Sequence, residues 1–249
     1  MIYRKLTMTL AALAVSSLAL ASGGGDALEP ANVNIFDSAA LQRGARLYVD
    51  YCSGCHSAKY MRYKRLAQDL QLSEEQVLQY LAKPGSKIGD AMTVAWTTKD
   101  ATDTFGVPPP DLSLVSRTRG NDWLLAYMKS FYVDDSRPLG WNNTLFANAS
   151  MPHVLWELQG VQRPVYETVT DEEGHSHEQL TGFELVEPGL QTAEEYEETI
   201  RDLVTFLAYM GEPAKLERHR LGVWVVLFLS LFAFISYLLK SEYWQDVKK

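Results

Sequence analysis

Two cysteines and a histidine stand together near the start of the chain, as the sequence CSGCH at residues 52–56. The spacing Cys-x-x-Cys-His is the attachment signature of a c-type haem. Two thiols so placed can form thioether bonds with the two vinyl groups on one haem edge, and the histidine after them can then ligate the iron. The motif therefore predicts one covalently bound haem, with Cys52 and Cys55 as attachment points and His56 as an axial ligand.

Other uses of two close thiols fit this chain less well. These are its only cysteines, and a disulfide between residues so near in sequence closes almost no loop and adds little stability. A thioredoxin-like site expects a βαβ setting, whereas the flanks here are predicted to be helical. A zinc site expects a second Cys or His pair at ligand spacing, and none is evident. An exported thiol–disulfide oxidoreductase is the remaining alternative. Detection of covalently bound haem in the denatured protein would exclude it.

Apolar segments at both ends of the chain indicate export and membrane attachment. Residues 1–21 combine a basic start, an apolar run and an Ala-x-Ala cleavage site, as in a signal peptide. Residues 221–239 form an uncharged apolar stretch long enough to span a bilayer. We therefore expect a signal peptide at 1–21, a periplasmic haem domain at 22–214, and a single-pass inner-membrane anchor with a short cytoplasmic tail at 215–249.

The chain is acidic, with a formal net charge of −8. The predicted signal peptide and the predicted anchor are both basic, so the domain between them is more acidic still. Such a domain repels the phosphates of nucleic acid. It attracts a basic protein, and this electrostatic steering speeds the association of the two. We therefore expect no nucleic-acid partner, while solubility alone is the simpler explanation of the charge.

The periodicity of apolar residues is mainly helical, with one alternating segment. Two capping boxes, at Ser73 and Thr192, mark helix starts, and Ser38 is a plausible N-cap. Gly44 weakens the helix that contains it by about 1 kcal/mol relative to Ala, which a close approach of another helix would justify. We predict helices over residues 38–51, 73–82, 121–131 and 192–210, a β-hairpin over residues 163–186, and an irregular loop around the haem over residues 84–110.

The second axial ligand has to come from the opposite face of the haem, far along the chain. Met61 is too close to His56 in sequence to reach across the ring. Met128 and Met210 lie on apolar faces of predicted helices, where a core position is expected.

Met151 is the favoured candidate for this second ligand. It lies in a loop of small residues, and the proline after it disfavours a helix, so the backbone there can approach a porphyrin closely. Met92 is the second candidate. His153 would give a bis-histidine haem of lower potential, because Met/His ligation raises the potential. An open sixth site is the remaining alternative.

Residues 107–113, VPPPDLS, form a rigid segment poor in hydrogen-bond donors. Its proline carbonyls are free to accept a hydrogen bond from the outer ring N–H of His56, which would fix the tautomer and plane of the imidazole. Arg117 and Arg119 follow at a distance that could reach a haem propionate, although either could equally be a surface charge.

Taken in order, these segments resemble the cytochrome c1 family, the haem-bearing subunits of the bacterial ubiquinol–cytochrome c reductase, or bc1 complex. The resemblance covers almost the whole mature chain except residues 67–106, and the PPDLS segment with the C-terminal span makes it specific. The matching residues are Arg43-Gly44 before Tyr48, Cys52–Ser57 with Tyr60 and Tyr63, Pro109–Ser113 with Arg117, Met151-Pro152, and the span after Glu212-Pro213.

The resemblance implies a mainly α fold: a class I cytochrome c-like haem domain with insertions and a C-terminal single transmembrane helix. It implies that His56 and Met151 are the axial ligands, that Pro110 packs on the haem, and that Arg117 pairs with a propionate. It also implies electron transfer from the Rieske iron–sulfur protein to a cytochrome c, with cytochrome b and the lipid bilayer as further partners.

Two other functions fit the same residues. A free-standing, membrane-anchored c-type cytochrome that feeds a terminal oxidase would share the haem, the methionine and the anchor. A haem sensor would have an open sixth site and bind carbon monoxide in the reduced form.

Overall fold

The computed structural model describes residues 28–170, 176–245 and 247 of the chain, and the predicted signal peptide lies outside them. The predicted fold class, mainly helical with a C-terminal apolar helix, is confirmed. The helices are α1 (Ser38–Leu47), α2 (Tyr63–Asp69), α3 (Glu74–Tyr80), α4 (Thr98–Phe105), α5 (Val115–Arg119), α6 (Asn121–Lys129), α7 (Trp156–Gln159), α8 (Ala193–Gly211) and α9 (Ala214–Tyr243). The strands are β1 (Ala58–Arg62), β2 (Ala91–Met92), β3 (Phe131–Val133), β4 (Trp141–Asn143), β5 (Gly160–Thr170) and β6 (Ser176–Pro188), and a π-helical turn, Tyr48–Cys52, extends α1.

The packing of α1 against α8 forms the centre of the domain. A Cβ atom added at Gly44 would collide with the backbone carbonyl of Asp202 on α8, so the expected close approach of a second helix is confirmed. The ion pair between Arg43 and Asp202 joins the same two helices beside this contact. The largest fully buried side chains around it are Leu41, Tyr48, Ile200, Leu203, Phe206 and Tyr209.

The helix starts follow local side-chain capping. Both predicted capping boxes are present, because Ser73 and Gln76 bond reciprocally, as do Thr192 and Glu195. The predicted cap of α1 is wrong by one residue: the carboxylate of Asp37, not Ser38, accepts from the first free N–H groups of the helix. Asp and Ser are similar N-cap residues, so the sequence offered two neighbouring starts of about equal quality.

The prediction that residues 84–110 form an irregular loop is wrong. The segment contains β2, which pairs antiparallel with β1, and α4, whose start is capped by the Thr97 side chain. A two-residue strand gives no periodicity of its own and exists only because β1, about thirty residues earlier, supplies its hydrogen-bond partners.

Two further elements agree with the predictions. Strands β5 and β6 pair antiparallel from Gly160 opposite Pro188 to Thr170 opposite Ser176, so the predicted hairpin is confirmed, while its turn lies outside the described residues. Helix α9 is the one helix in the described chain long and apolar enough to cross a membrane, and none of its most apolar segment is buried in the protein.

Candidate haem-binding site

The Cys-x-x-Cys-His segment is wound into a tight turn at the end of α1. The carbonyl oxygen of Cys52 accepts from the backbone N–H groups of Cys55 at 3.1 Å and of His56 at 2.8 Å. Both cysteines are free thiols, Cys52 buried and Cys55 exposed. Burial raises the pKa of Cys52 to about 12, so this thiol is protonated at neutral pH.

The imidazole of His56 is held in one tautomer by the proline segment. Its Nδ1 lies 2.8 Å from the carbonyl oxygen of Pro110. A carbonyl oxygen can only accept, so Nδ1 carries the proton and Nε2 keeps its lone pair. Burial lowers the pKa of His56, and the bond to Pro110 acts in the opposite direction. The neutral ring with a free Nε2 is the form in which histidine binds a metal.

Residues 56–60 and 110–113 lie side by side, and we call this pair of segments the proximal brace. The Pro110–His56 bond is one of its links. Three further hydrogen bonds join the two segments beyond this link and hold Pro110 in place beside His56. These bonds run from Leu112 N–H to the Ser57 carbonyl (2.8 Å), from Lys59 N–H to Asp111 Oδ2 (3.0 Å), and from Tyr60 N–H to Ser113 Oγ (3.1 Å).

Tyr48 anchors the same turn from the protein core. Its hydroxyl donates to the carbonyl oxygen of His56 at 2.9 Å, and its side chain is fully buried. Burial raises the pKa of Tyr48 well above its usual value, so the hydroxyl stays a donor. The bond ties the histidine backbone to the α1–α8 contact.

Met151 lies half-buried beside an aromatic cluster that is formed by Trp123 and Tyr127 of α6 and by Phe146. The Tyr127 hydroxyl is 3.8 Å from the Met151 sulfur, and the rings of Trp123 and Tyr127 stack with their centroids 4.8 Å apart. Burial raises the pKa of Tyr127 to about 12, which keeps its hydroxyl protonated. Tyr127 is thus a neighbour of the thioether that the sequence pattern did not reveal.

The other methionines of the described residues lie inside the protein. Met128 and Met210 are core residues, as predicted from their helical faces. Met92, the second candidate ligand, is 3% exposed and lies opposite Ala58 in the β1–β2 pair. Met61, excluded from the sequence alone, is buried on β1.

His153 is buried and packs against aromatic rings. It stacks on Phe131 with the ring centroids 5.1 Å apart and meets Trp141 edge-on. Neither ring nitrogen has a hydrogen-bond partner in the described chain. Burial lowers its pKa to about 4, against the smaller opposing influence of Gln159. His153 is therefore a neutral ring in an apolar setting.

The two arginines considered for a propionate lie in different surroundings. Arg117 is exposed, and its side chain covers Gly211 at the end of α8. The guanidinium of Arg119 lies 4.9 Å from the ring centroid of Trp123 and 5.5 Å from that of Phe146, in the aromatic cluster of Met151. Residues two apart on a helix point in nearly opposite directions, so sequence spacing alone could not choose between them.

The residues present fit a c-type haem by their donor chemistry. Two unpaired thiols stand two residues apart, and the only hydrogen bond of the His56 ring in the described chain is through Nδ1. A thioether lies half-buried among aromatic rings. Together with the helical fold and the apolar helix α9, these features are those of a membrane-anchored c-type cytochrome.

Comparison with known proteins identifies the family. The model of the cytochrome C1 family matches residues 30–247. The chain is 49% identical to cytochrome c1 of Allochromatium vinosum over 98% of its own length and 99% of the relative. It is 41% identical to the ammonia monooxygenase gamma subunit of Nitrosomonas europaea over 96% and 97% of the two chains. It is 25% identical to cytochrome c1 of Rhodospirillum rubrum over 97% and 99%.

The chain belongs to the cytochrome c1 family. It is accordingly a membrane-anchored haem subunit for electron transfer in the bc1 complex.

Proposed function

We propose that this chain relays one electron at a time from the Rieske iron–sulfur protein to a cytochrome c. Bound in this site, a haem supplies the one-electron redox centre. The observation that carries the proposal is the bond from His56 Nδ1 to the Pro110 carbonyl, which leaves Nε2 free. No bond of a substrate is made or broken at such a subunit, so the protein contributes orientation, potential and a docking surface.

Each site residue then has one task. Cys52 and Cys55 would hold one haem through two thioether bonds, and His56 Nε2 and Met151 Sδ would ligate its iron. Pro110 packs against the haem ring. Its carbonyl accepts from Nδ1–H of His56, which fixes the plane of the imidazole and makes Nε2 a stronger electron donor to the iron. The thioether of Met151 raises the potential relative to a second imidazole. Arg119, beside the Met151 cluster, is better placed for a propionate than Arg117.

The partners and the location follow from the ends of the chain and from its charge. Helix α9 anchors the domain in the inner membrane beside cytochrome b, with the haem domain in the periplasm. The acidic domain steers a basic cytochrome c to its docking surface. Raising the salt concentration from about 0.01 M to about 1 M shortens the Debye length from about 30 Å to about 3 Å. Electron transfer to the acceptor should slow by on the order of tenfold, and a salt-independent rate would remove the steering.

Purification of the tagged chain from its own membranes tests the function. We expect cytochrome b and the Rieske protein to co-purify with it, and quinol to reduce its haem only when both are present. Recovery of a haem-bearing chain without those two proteins, reduced at the same rate, would favour the free-standing cytochrome that feeds an oxidase. Recovery with a monooxygenase would assign it the role that the name of the Nitrosomonas relative suggests.

A further inference from the structure

A cleft lies where the haem domain meets the anchor helix. It has a volume of about 210 Å³ and is bordered by Phe36 of the loop before α1, by Arg117 and Asn121, and by Glu212 and Lys215 at the junction of α8 and α9. It is separate from the proximal brace and from the aromatic cluster of Met151. Apart from the propionate contact that the family resemblance implies for Arg117, the haem-binding function assigns its residues no role.

The charges around this cleft do not balance. Glu212 forms an ion pair with Arg218, and this partner is the main cause of the lowered pKa of Glu212, with smaller contributions from Arg117 and Lys215. In the described chain neither Arg117 nor Lys215 has an ion-pair partner of its own. The cleft therefore has two positive charges and one negative charge in its lining, and the negative charge of Glu212 is already paired with Arg218. This excess of positive charge favours the binding of an anion.

An acceptor without a donor lies at the border of the cleft. The side-chain oxygen of Asn121 is buried and has no hydrogen-bond partner in the part of the chain that the structure describes. A buried acceptor left unpaired is costly. A ligand that fits all three side chains thus combines an anion with a hydrogen-bond donor, as a phosphodiester does when its substituent carries a hydroxyl or ammonium group.

The position of the cleft relative to the membrane selects the source of that phosphodiester. Lys215 precedes the apolar stretch by six residues, or about 9 Å of helix. The polar layer on each side of a bilayer is about 5–8 Å thick, so Lys215 lies at its outer edge. Phe36 is 50% exposed and lies against His219 on α9, with the ring centroids 4.9 Å apart. His219 is two residues before the apolar stretch, so this contact places an exposed apolar ring close to the start of the membrane span.

We propose that this cleft binds the headgroup of a phospholipid in the leaflet that faces the haem domain. Arg117 and Lys215 contact the phosphodiester, and Asn121 accepts from the hydroxyl or ammonium group of the headgroup. The bound lipid joins α5 to the start of α9 and so holds the haem domain at a fixed tilt above its anchor. This role of Arg117 differs from the propionate contact implied by the family resemblance, and the two can be separated by experiment.

The test uses the full-length holo-protein, purified in detergent, stripped of lipid and titrated with dioctanoyl phosphatidylglycerol. Native mass spectrometry counts the bound molecules. The variant carries Arg117→Gln and Lys215→Gln. The control carries Lys64→Gln and Lys87→Gln, which remove the same charge from exposed lysines outside the cleft. Inorganic phosphate and dioctanoylglycerol are the competing probes.

We expect one phosphatidylglycerol on the wild type and the control, and retention weaker by about tenfold or more in the variant, because two charge-assisted contacts are lost. Neither competitor should displace the lipid at equal concentration. Equal binding by variant and control would overturn the proposal. Displacement by phosphate would reassign the cleft to a free anion, and binding of dioctanoylglycerol would assign it to acyl chains alone.

Two further measurements keep the test decisive. If the double variant fails to accumulate, Asn121→Asp places a negative charge in the cleft without a change of shape, and it should weaken lipid binding as well. The midpoint potential of Arg117→Gln should equal that of the wild type. A shifted potential with unchanged lipid binding would assign Arg117 to the haem and overturn the proposal, while the electron-relay function would stand.

Discussion

The two sides of the candidate haem site are built differently. On the proximal side, the His56 ring is held by the Pro110 carbonyl at 2.8 Å inside a brace of further hydrogen bonds. On the distal side, the Met151 sulfur has one weak polar contact among the described residues, at 3.8 Å from the Tyr127 hydroxyl. Sulfur is a poor acceptor, so this contact orients the thioether far less than the brace orients the imidazole. The difference suggests that the polypeptide sets the proximal geometry alone and that the iron completes the distal one.

The largest expected effect comes from the loss of Met151, the proposed second axial ligand. Met151→Ala should abolish the sulfur-to-iron charge-transfer band and lower the midpoint potential by about 0.1 V or more, within the range of about 0.8 V that axial ligands cover. Met92→Ala is the matched control, and it should keep both the band and the potential. Visible spectra and redox titrations of the two variants measure the band and the potential, and so show which methionine ligates the iron. An unchanged band in Met151→Ala would require another sixth ligand.

The second largest effect is expected at the contact between α1 and α8, which supports the haem motif on the proximal side. Gly44→Ala puts a Cβ against the carbonyl of Asp202, and overpacking of this kind costs about 1–3 kcal/mol. That cost exceeds the gain of about 1 kcal/mol from helix propensity, so the denaturant midpoint of the solubilised protein should fall.

Gly89→Ala is the control for this variant, because a Cβ there meets open space. It should be neutral or stabilising by up to about 1 kcal/mol. If Gly44→Ala were equally neutral, the close packing of α1 on α8 would not support the haem motif as described.

A smaller effect is expected inside the proximal brace. The carboxylate of Asp111 accepts from the N–H groups of Lys59 and Ser113 at 3.0 and 2.9 Å. Asp111→Ala should cost about 1–2 kcal/mol of unfolding free energy, since the site is half-exposed and each bond to a charged group has a modest net value. Asp90→Ala, which removes one comparable bond to Lys87 N–H, should cost less than half as much. Equal costs would mean that the brace is no stiffer than an ordinary turn.

The smallest effect is expected from the distal hydroxyl. Tyr127→Phe removes the contact to the Met151 sulfur and keeps the aromatic stacking. The midpoint potential should shift by about 10–40 mV, since about 59 mV corresponds to a tenfold change in a one-electron equilibrium. Tyr80→Phe, at an exposed position of α3, is the control and should leave the potential unchanged. A shift above about 0.1 V would mean that the distal side depends on its protein contacts as much as the proximal side does.

The predictable parts of this molecule are those with local causes. The capping boxes at Ser73 and Thr192 depend on residues three apart, and the role of a proline carbonyl follows from its missing N–H. The β1–β2 pair was missed because its partners are far apart in sequence.

The choice between Arg117 and Arg119 depended on which side of a short helix faces the Met151 cluster, and no periodicity in five residues fixes that. Tyr127 was missed for a related reason, because its position beside Met151 depends on how α6 packs against a loop that follows it in the chain.

Covalent attachment of the haem is the most direct test of the account. The matured protein should be denatured and extracted with acidified acetone, and the haem absorbance and mass of the polypeptide then measured. We predict that the colour stays with the chain, that its mass exceeds that of the apo-chain by one haem, and that Cys52→Ala with Cys55→Ala abolishes both. A colourless polypeptide of unmodified mass after full maturation would contradict the account.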